Sequence, residues 1–207
     1  MKATGQYAPV ILLLCLGLAL GACRSDKGVD LSDKRQLATL PAKIGKYIGP
    51  GILVADIQFL PADARYYSNI AGSVQLTYVD PASPEHFKRM RIDLNSGSAS
   101  EEAASFRNNL EQRAALERAA PISGLDYSVI GAYFAYVARQ AAALHKSPAG
   151  MRSYSIQMAR DPRQIIHTLA LIVKSGDQAA ASPGRERYGE LVFTGKAGDT
   201  TRAVPGH

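Results

Sequence analysis

Ser73-Val74-Gln75-Leu76-Thr77-Tyr78-Val79 alternates polar and apolar residues from Ser73 through Tyr78. Successive side chains of a β-strand point to opposite faces, so Val74, Leu76 and Tyr78 fall on one side and Ser73, Gln75 and Thr77 on the other. Met90-Arg91-Ile92-Asp93-Leu94-Asn95 repeats the pattern after a Pro81 to Pro84 loop. An aliphatic run from Ile52 to Leu60 precedes both, behind Gly49-Pro50-Gly51. Three such runs parted by turn residues predict a half-buried antiparallel meander.

Downstream, Asn95-Ser96-Gly97 ends the third run, and Ser98-Ala99-Ser100-Glu101 has the spacing of a capping box. A helix is expected from there to about Ala119, with Ala103, Phe106, Leu110 and Ala114 on its apolar stripe. Asp126 to His145 reads as a second helix. Ile130, Phe134, Val137, Ala141 and Leu144 fit a 3.6-residue period there, and Pro148-Ala149-Gly150 stops it. A strand to Val137 followed by a short helix is the alternative. Tyr154, Ile156 and Met158 alternate with Ser153, Ser155 and Gln157, whereas Ile165 to Val173 is apolar almost all round, as a central strand covered on both faces would be. Asp161-Pro162 between them suits either a hairpin turn or a helix start, and the apolar second run favours the hairpin. Tyr188 to Thr194 makes a last strand. The expected fold is α+β: a twisted, largely antiparallel sheet of about five or six strands, with one or two helices on one face.

The N-terminal segment has a different character. One cation, Lys2, is followed by an apolar run from Val10 through Leu20, too short for a span that needs roughly 20 apolar residues, and Arg24, Ser25, Asp26 and Lys27 come directly after it. Leu20-Gly21-Ala22-Cys23 resembles the lipobox of bacterial lipoproteins, an aliphatic residue and two small ones before a cysteine. The resemblance implies cleavage before Cys23, a diacylglyceryl group on its sulfur and usually a fatty-acyl chain on its new amino group. Two or three chains give stable anchoring where one would be reversible. Arg24, where an aspartate would favour retention in the inner membrane, implies the outer membrane, with the domain facing the periplasm. The expected organisation is a signal peptide at 1–22, lipidated cysteine and flexible tether at 23–39, one domain at 40–194 and a disordered tail at 195–207. The polar stretch Arg24 to Leu37, 14 residues long, would hold the domain on the order of 20 Å from the anchor, or up to about 50 Å if extended. Leu40-Pro41-Ala42-Lys43-Ile44-Gly45-Lys46-Tyr47 resembles the opening of exosortase-associated exopolysaccharide proteins. The histidine and cysteine features of that family are missing, so no activity is carried over.

Of 207 residues, 185 remain once 1–22 leave, enough for one domain with its own core. The two cysteines are Cys15, inside the signal, and Cys23, so acylation leaves no free thiol for a disulfide, a thiolate metal site or a nucleophile. The net charge of +6 falls to +5 without Lys2. Dispersed cations suit a solvated surface or weak attraction to anionic lipid and acidic polysaccharide. Export and the lack of a basic-aromatic motif argue against nucleic acid.

Chemistry is sparsely signalled. His86, His145, His167 and His207 lie at least 22 residues apart, never in HExxH spacing, so no metal is expected. His86 reads as an exposed loop residue, and His167, within an apolar run, as a core or edge histidine with one hydrogen-bonded nitrogen. No GxSxG or SxxK motif occurs in the mature chain, and no cofactor or catalytic residue is assigned. The expected function is a non-catalytic accessory or interaction component of an envelope transport, secretion or assembly system. The alternative is a binding module for acidic polysaccharide or peptidoglycan, using Tyr66, Tyr67, Lys88, Arg89 and Arg91. A third reading is a hydrolase using two of Asp56, Asp63, Asp80, Glu85 and Asp93.

Overall fold

A computed structural model describes residues 28–62, 68–174 and 188–196, together with the backbone of 204–206. Its elements in chain order are β1 (Val29–Asp30), α1 (Lys34–Leu37), α2 (Leu40–Gly45), β2 (Leu53–Pro61), β3 (Ile70–Asp80), β4 (Ser83–Asp93) and β5 (Ala99–Ala103). Then follow α3 (Asn109–Arg118), β6 (Ala120–Pro121), α4 (Ser128–Ala143), β7 (Ser147–Gln157), β8 (Ile166–Lys174), β9 (Tyr188–Lys196) and β10 (Val204–Gly206).

The alternating runs form the middle of one antiparallel sheet, ordered β10-β9-β8-β7-β2-β3-β4-β5, with β1 beside β3 and β6 beside β2. This is an α+β fold, and the meander and the β7–β8 hairpin are where periodicity puts them. Val74 pairs with Ile92 and Leu76 with Met90, which sets four apolar side chains on one face. Ile57, Phe59, Tyr154, Ile156, Leu169 and Phe193 extend that face into a single core. α4 closes it with Ile130, Phe134, Val137 and Ala141, as the 3.6-residue period requires, and with Tyr133 besides. Leu144, expected on the same stripe, is 46% exposed, because it is the C-cap where the helix ends.

The helices do not share one face. Ala115 and Ala119, at the end of α3, pack on Ala55, Val79 and Phe87 in a second cluster, and Val79 directly follows the inward Tyr78 on β3. Consecutive strand residues face opposite ways, so α3 covers one corner of the far side. Phe106 extends this contact edge-on to Phe87, with ring centroids 5.1 Å apart.

Four expectations need correcting. The helix from Ser98 to Ala119 is half strand: residues 99–103 pair with β4 from Ile92↔Ala99 to Lys88↔Ala103. Asp93 Oδ1 accepts from the backbone N–H groups of Asn95 and Ser96, and Gly97 at φ +66° turns the chain back, so Ser98 enters a hairpin. The operative cap is Asn108, whose side chain accepts from Glu111 N at 2.9 Å while Glu111 returns to Arg107 N. Leu110, placed on the buried stripe by the earlier start, is 76% exposed.

The domain also starts earlier than expected. Val29 pairs with Ala71, and Asp33 caps α1 by accepting from Arg35 N. Val29, Leu31 and Leu37 are at most 2% exposed. Residues 28–39 therefore belong to the domain rather than to a flexible linker. The stop at Pro148-Ala149-Gly150 lies inside β7, opposite Val173 and Ile172. Finally, the tail assigned to 195–207 contributes Gly195 and Lys196 to β9 and residues 204–206 to β10, while 197–203 and 207 lie outside the described residues.

Candidate functional site

Two cavities meet at a wall made by residues 122–127. After α3 the chain pairs Pro121 with Leu53 and turns through a 3-10 segment, Ile122–Gly124, that sends Ile122 and Leu125 inward. Ile122 N donates to Ile52 O and Ser123 N to Pro50 O, which fixes this wall against the loop leading into β2. Opposite it, Pro41 at the start of α2 leaves Ile44 facing the core, and Ile48 follows one turn later. The space between is a cavity of about 320 Å³ bounded by Ile44, Ile48, Pro50, Ile122, Leu125 and Tyr127. Tyr127 is half-buried, and burial pushes its hydroxyl up to about 12.

Leu125 also bounds a second cavity of about 210 Å³, shared with Val129, Ile165 and His167 and with the exposed Asp126 and Arg163. His167 on β8 is completely buried opposite Ile156. Its Nδ1 lies 2.5 Å from the Tyr154 hydroxyl, and Tyr133 OH donates to the His167 carbonyl at 3.1 Å. The Nε2 atom is buried with no partner among the described residues. Desolvation holds the imidazole down to about 4 and pushes the hydroxyls of Tyr154 and Tyr133 upward. A neutral ring that accepts at Nδ1 from Tyr154 carries its proton on Nε2, since this arrangement gives the Tyr154 hydrogen an acceptor. His167 is thus the core histidine with one hydrogen-bonded nitrogen that the sequence suggests, and the tyrosine rings at 5.6 and 5.9 Å enclose it.

A third, polar cleft of about 420 Å³ lies at the β4–β5 edge, between Asp80, His86, Lys88, Glu101, Glu102 and Phe106. Lys88 bridges Glu101 at 3.1 Å and Asp80 at 3.6 Å, and Tyr78 donates to Glu101. The Tyr78 hydrogen bond, followed by that of Lys88, holds Glu101 below the usual carboxylate range, while Glu101 raises Lys88. Each group favours the charged form of the other. The cleft sets an exposed carboxylate and an ammonium beside one another, and the pairing favours the charged form of Glu101.

The candidate residues separate. Lys88 shares the core-side face with Met90, whereas Arg89 and Arg91 alternate onto the far face, where Arg89 pairs with Glu102 at 3.6 Å. The three therefore do not form one basic patch. Asp56 is held by Arg118 at 2.7 Å, Asp93 by its turn, and Asp80 by Lys88. Asp80 ends β3 and Asp93 pairs with Ser73 near its start, seven residues or about 23 Å of strand away, so the two cannot share a bond as hydrolase carboxylates would. Glu85 and His86 are exposed. Asp63, Tyr66, Tyr67 and Cys23 lie outside the described residues. Sequence reasoning missed Tyr78, Glu101, Ile122, Leu125 and Tyr127 as site residues. Only the Lys88 and Glu101 charges gave a signal, and it became readable once β5 was known to be a strand. Among the described residues no cluster of three or more potential ligands could hold a metal ion, and no helix is long and apolar enough to cross a membrane. A comparison with protein-family models, with curated proteins and with solved structures finds no match to this chain.

Proposed function

We propose that this chain is a lipid-anchored, non-catalytic accessory protein of the bacterial envelope, held at the periplasmic side of the outer membrane, whose domain meets its partner at the membrane surface. The observation that supports this reading is the distance along the chain between Cys23 and the fold. β1 begins at Val29, and Gly28 is five residues after Cys23, so an extended connection spans about 18 Å at most. A domain fastened that closely is placed to act on the membrane or on something embedded in it. The alternative, an acidic-polymer module, rests among the described residues on Lys88, Arg89 and Arg91, of which Lys88 is already paired with Glu101 and Asp80 and Arg89 with Glu102.

The test is the mass of the mature protein from a double-membraned host. Acylation at a chain beginning with Cys23, release of Cys23→Ser from the membrane fraction and outer-membrane fractionation of the wild type are expected. An unmodified cysteine, or a Cys23→Ser protein still in membranes without added mass, overturns the anchor. In-membrane crosslinking of the wild type that captures no other envelope protein overturns the accessory role.

A further inference from the structure

The second cavity has an exposed rim, with Asp126 and Arg163, and a buried floor of Leu125, Ile165 and His167. Ile165, just ahead of β8, and His167 are two residues apart in extended backbone, so their side chains share one face. The floor is carbon except for the imidazole. Its Nδ1 is taken by the Tyr154 hydroxyl, and Tyr154 stands on β7 opposite Leu169, two residues further along β8. Nε2 is on the other side of the ring, so its N–H is directed back towards Ile165 and the cavity. That N–H is buried without a partner among the described residues. Leaving a buried donor unsatisfied costs about 1 to 3 kcal/mol, which an acceptor in the cavity would recover. At the rim, the Arg163 guanidinium makes no ion pair among the described residues, whereas the Asp126 carboxylate is engaged by Ser128, whose backbone N–H donates to it at 2.9 Å.

From these positions we infer that the cavity binds a short-chain carboxylate. One carboxylate oxygen accepts from His167 Nε2–H, Arg163 balances the charge, and the carbon tail lies on Leu125, Val129 and Ile165. The volume of about 210 Å³ equals that of about seven water molecules at about 30 Å³ each, so a tail of about four carbons fits and a long acyl chain does not. An ordered water needs about two to four polar partners, and the floor offers one. A neutral carbonyl would satisfy Nε2–H but gain nothing from Arg163, and a cation would meet a donor where it needs an acceptor. Hydrogen bonds between a carboxylate and N–H donors are stronger than those between neutral groups, and a mostly apolar lining strengthens them further. This site goes beyond the accessory role proposed above and does not depend on acylation of Cys23.

The experiment titrates the purified full chain, isotope-labelled at its histidine nitrogens, with isovalerate and follows the imidazole signals by NMR. His86→Gln, His145→Gln and His207→Gln identify the other three rings, which leaves the His167 signal assigned by elimination. Its Nε2–H should shift and saturate, with half-saturation near about 1 mM for a ligand of so few atoms. Arg163→Gln, at an exposed position, should weaken binding about three- to fivefold without altering melting. Isovaleramide, the neutral counterpart, should bind the wild type more weakly by about the same factor and should not distinguish Arg163→Gln from it. Tyr154→Phe/His167→Leu removes the donor and should bind isovalerate at least about tenfold more weakly, read by saturation transfer to the ligand methyl groups; should that variant not fold, the Arg163→Gln and isovaleramide arms decide. No saturable shift of His167 up to about 50 mM, or a response at the other histidines alone, overturns the proposal. An Nε2–H that answers to neither ligand and shows contact only with water assigns the cavity to water. Equal affinity for isovalerate and isovaleramide removes the carboxylate as the group recognised. The mass of Cys23 is not read by any of these arms, so failure of this site and failure of the anchor are separate results.

Discussion

Acidification should destabilise this protein through His167, and the size of the effect follows from how the ring is buried. The ring is fully inside the core, and burial lowers its pKa from the ordinary 6.5 to about 4. Above pH 6.5 the ring is neutral in both folded and unfolded chains, and the shift has no consequence. As pH falls from 6.5 towards 4, the unfolded chain takes up a proton that the folded chain refuses, so stability declines by about 1.4 kcal/mol per pH unit. Between pH 7 and pH 4.5 the loss comes to about 2 to 3 kcal/mol, and below pH 4 it stops growing.

Other groups titrate over the same interval, so the measurement is a difference. Urea unfolding, followed by circular dichroism at a series of pH values, is compared between the wild type and Tyr154→Phe/His167→Leu. The double substitution removes the ring together with the hydroxyl that would otherwise lose its partner. Leucine retains much of the packing volume, so the variant should fold, and carboxylate contributions cancel in the comparison. The wild type should lose about 2 to 3 kcal/mol more than the variant across the interval. Curves that run parallel to within about 0.5 kcal/mol would refute the reasoning, because they would mean that His167 is protonated in the folded state at pH 4.5 as readily as in the unfolded chain. Tyr154→Phe alone should cost about 1 to 3 kcal/mol at pH 7 by leaving Nδ1 without its donor.

Three further outcomes test the architecture. Leu31→Ala should lower the stability of the domain by about 2 to 5 kcal/mol in urea titration, since the side chain is fully buried; a flexible tether would make the change neutral. Gly72→Ala should destabilise by at least about 2 kcal/mol, because a Cβ there would sit 2.4 Å from Ala62 Cα, just past the end of β2, whereas Gly45→Ala, with open space, should melt within a few degrees of the wild type. Arg118→Ala should cost about 1 kcal/mol and lose much of that effect in high salt, since the Asp56 side chain it holds at 2.7 Å is 37% exposed and partly screened.

The central sheet was legible because one buried face writes itself into the sequence every second residue, as in Val74, Leu76 and Tyr78. α4 was legible for the corresponding reason at 3.6 residues. β5 was not: all five of its residues are exposed, so burial imposes no period, and the strand exists because the β4 backbone offers it hydrogen-bond partners. A capping-box spacing at Ser98 and the true cap at Asn108 look alike in one dimension, and pairing with β4 decides between them. β1 and α1 were hidden by their neighbours' charges, which mask the fact that only Val29, Leu31 and Leu37 need to be buried for the segment to dock. The cavities were illegible in principle. The walls of the first come from 41–50 and 122–127, and no local pattern in either stretch records the other. His167 was readable because a lone imidazole in a run of aliphatics has few ways to satisfy even one nitrogen.

The short connection also constrains direction. Gly28 stands at φ +130°, and a Cβ there would fall 2.3 Å from Ala71 O, so the chain enters β1 through a conformation that only glycine holds comfortably. Val29 is then fixed opposite Ala71 and Asp30 opposite Ile70, at the start of β3 and the end of β2. A long coil ending in a flexible junction would let the sheet face any direction and reach a partner on the order of 50 Å away. Five residues leading into a fixed glycine bound the anchor to within about 18 Å of the β1 entry, which turns that end of the sheet towards the bilayer whenever Cys23 is acylated. Under the proposed anchoring, a partner would have to come to the membrane surface to be engaged, and the features nearest the β1 entry would meet lipid first. Insertion of flexible residues ahead of Gly28 should leave the fold unchanged while weakening any function that depends on this placement, which separates the geometric role of the anchor from its role as an address.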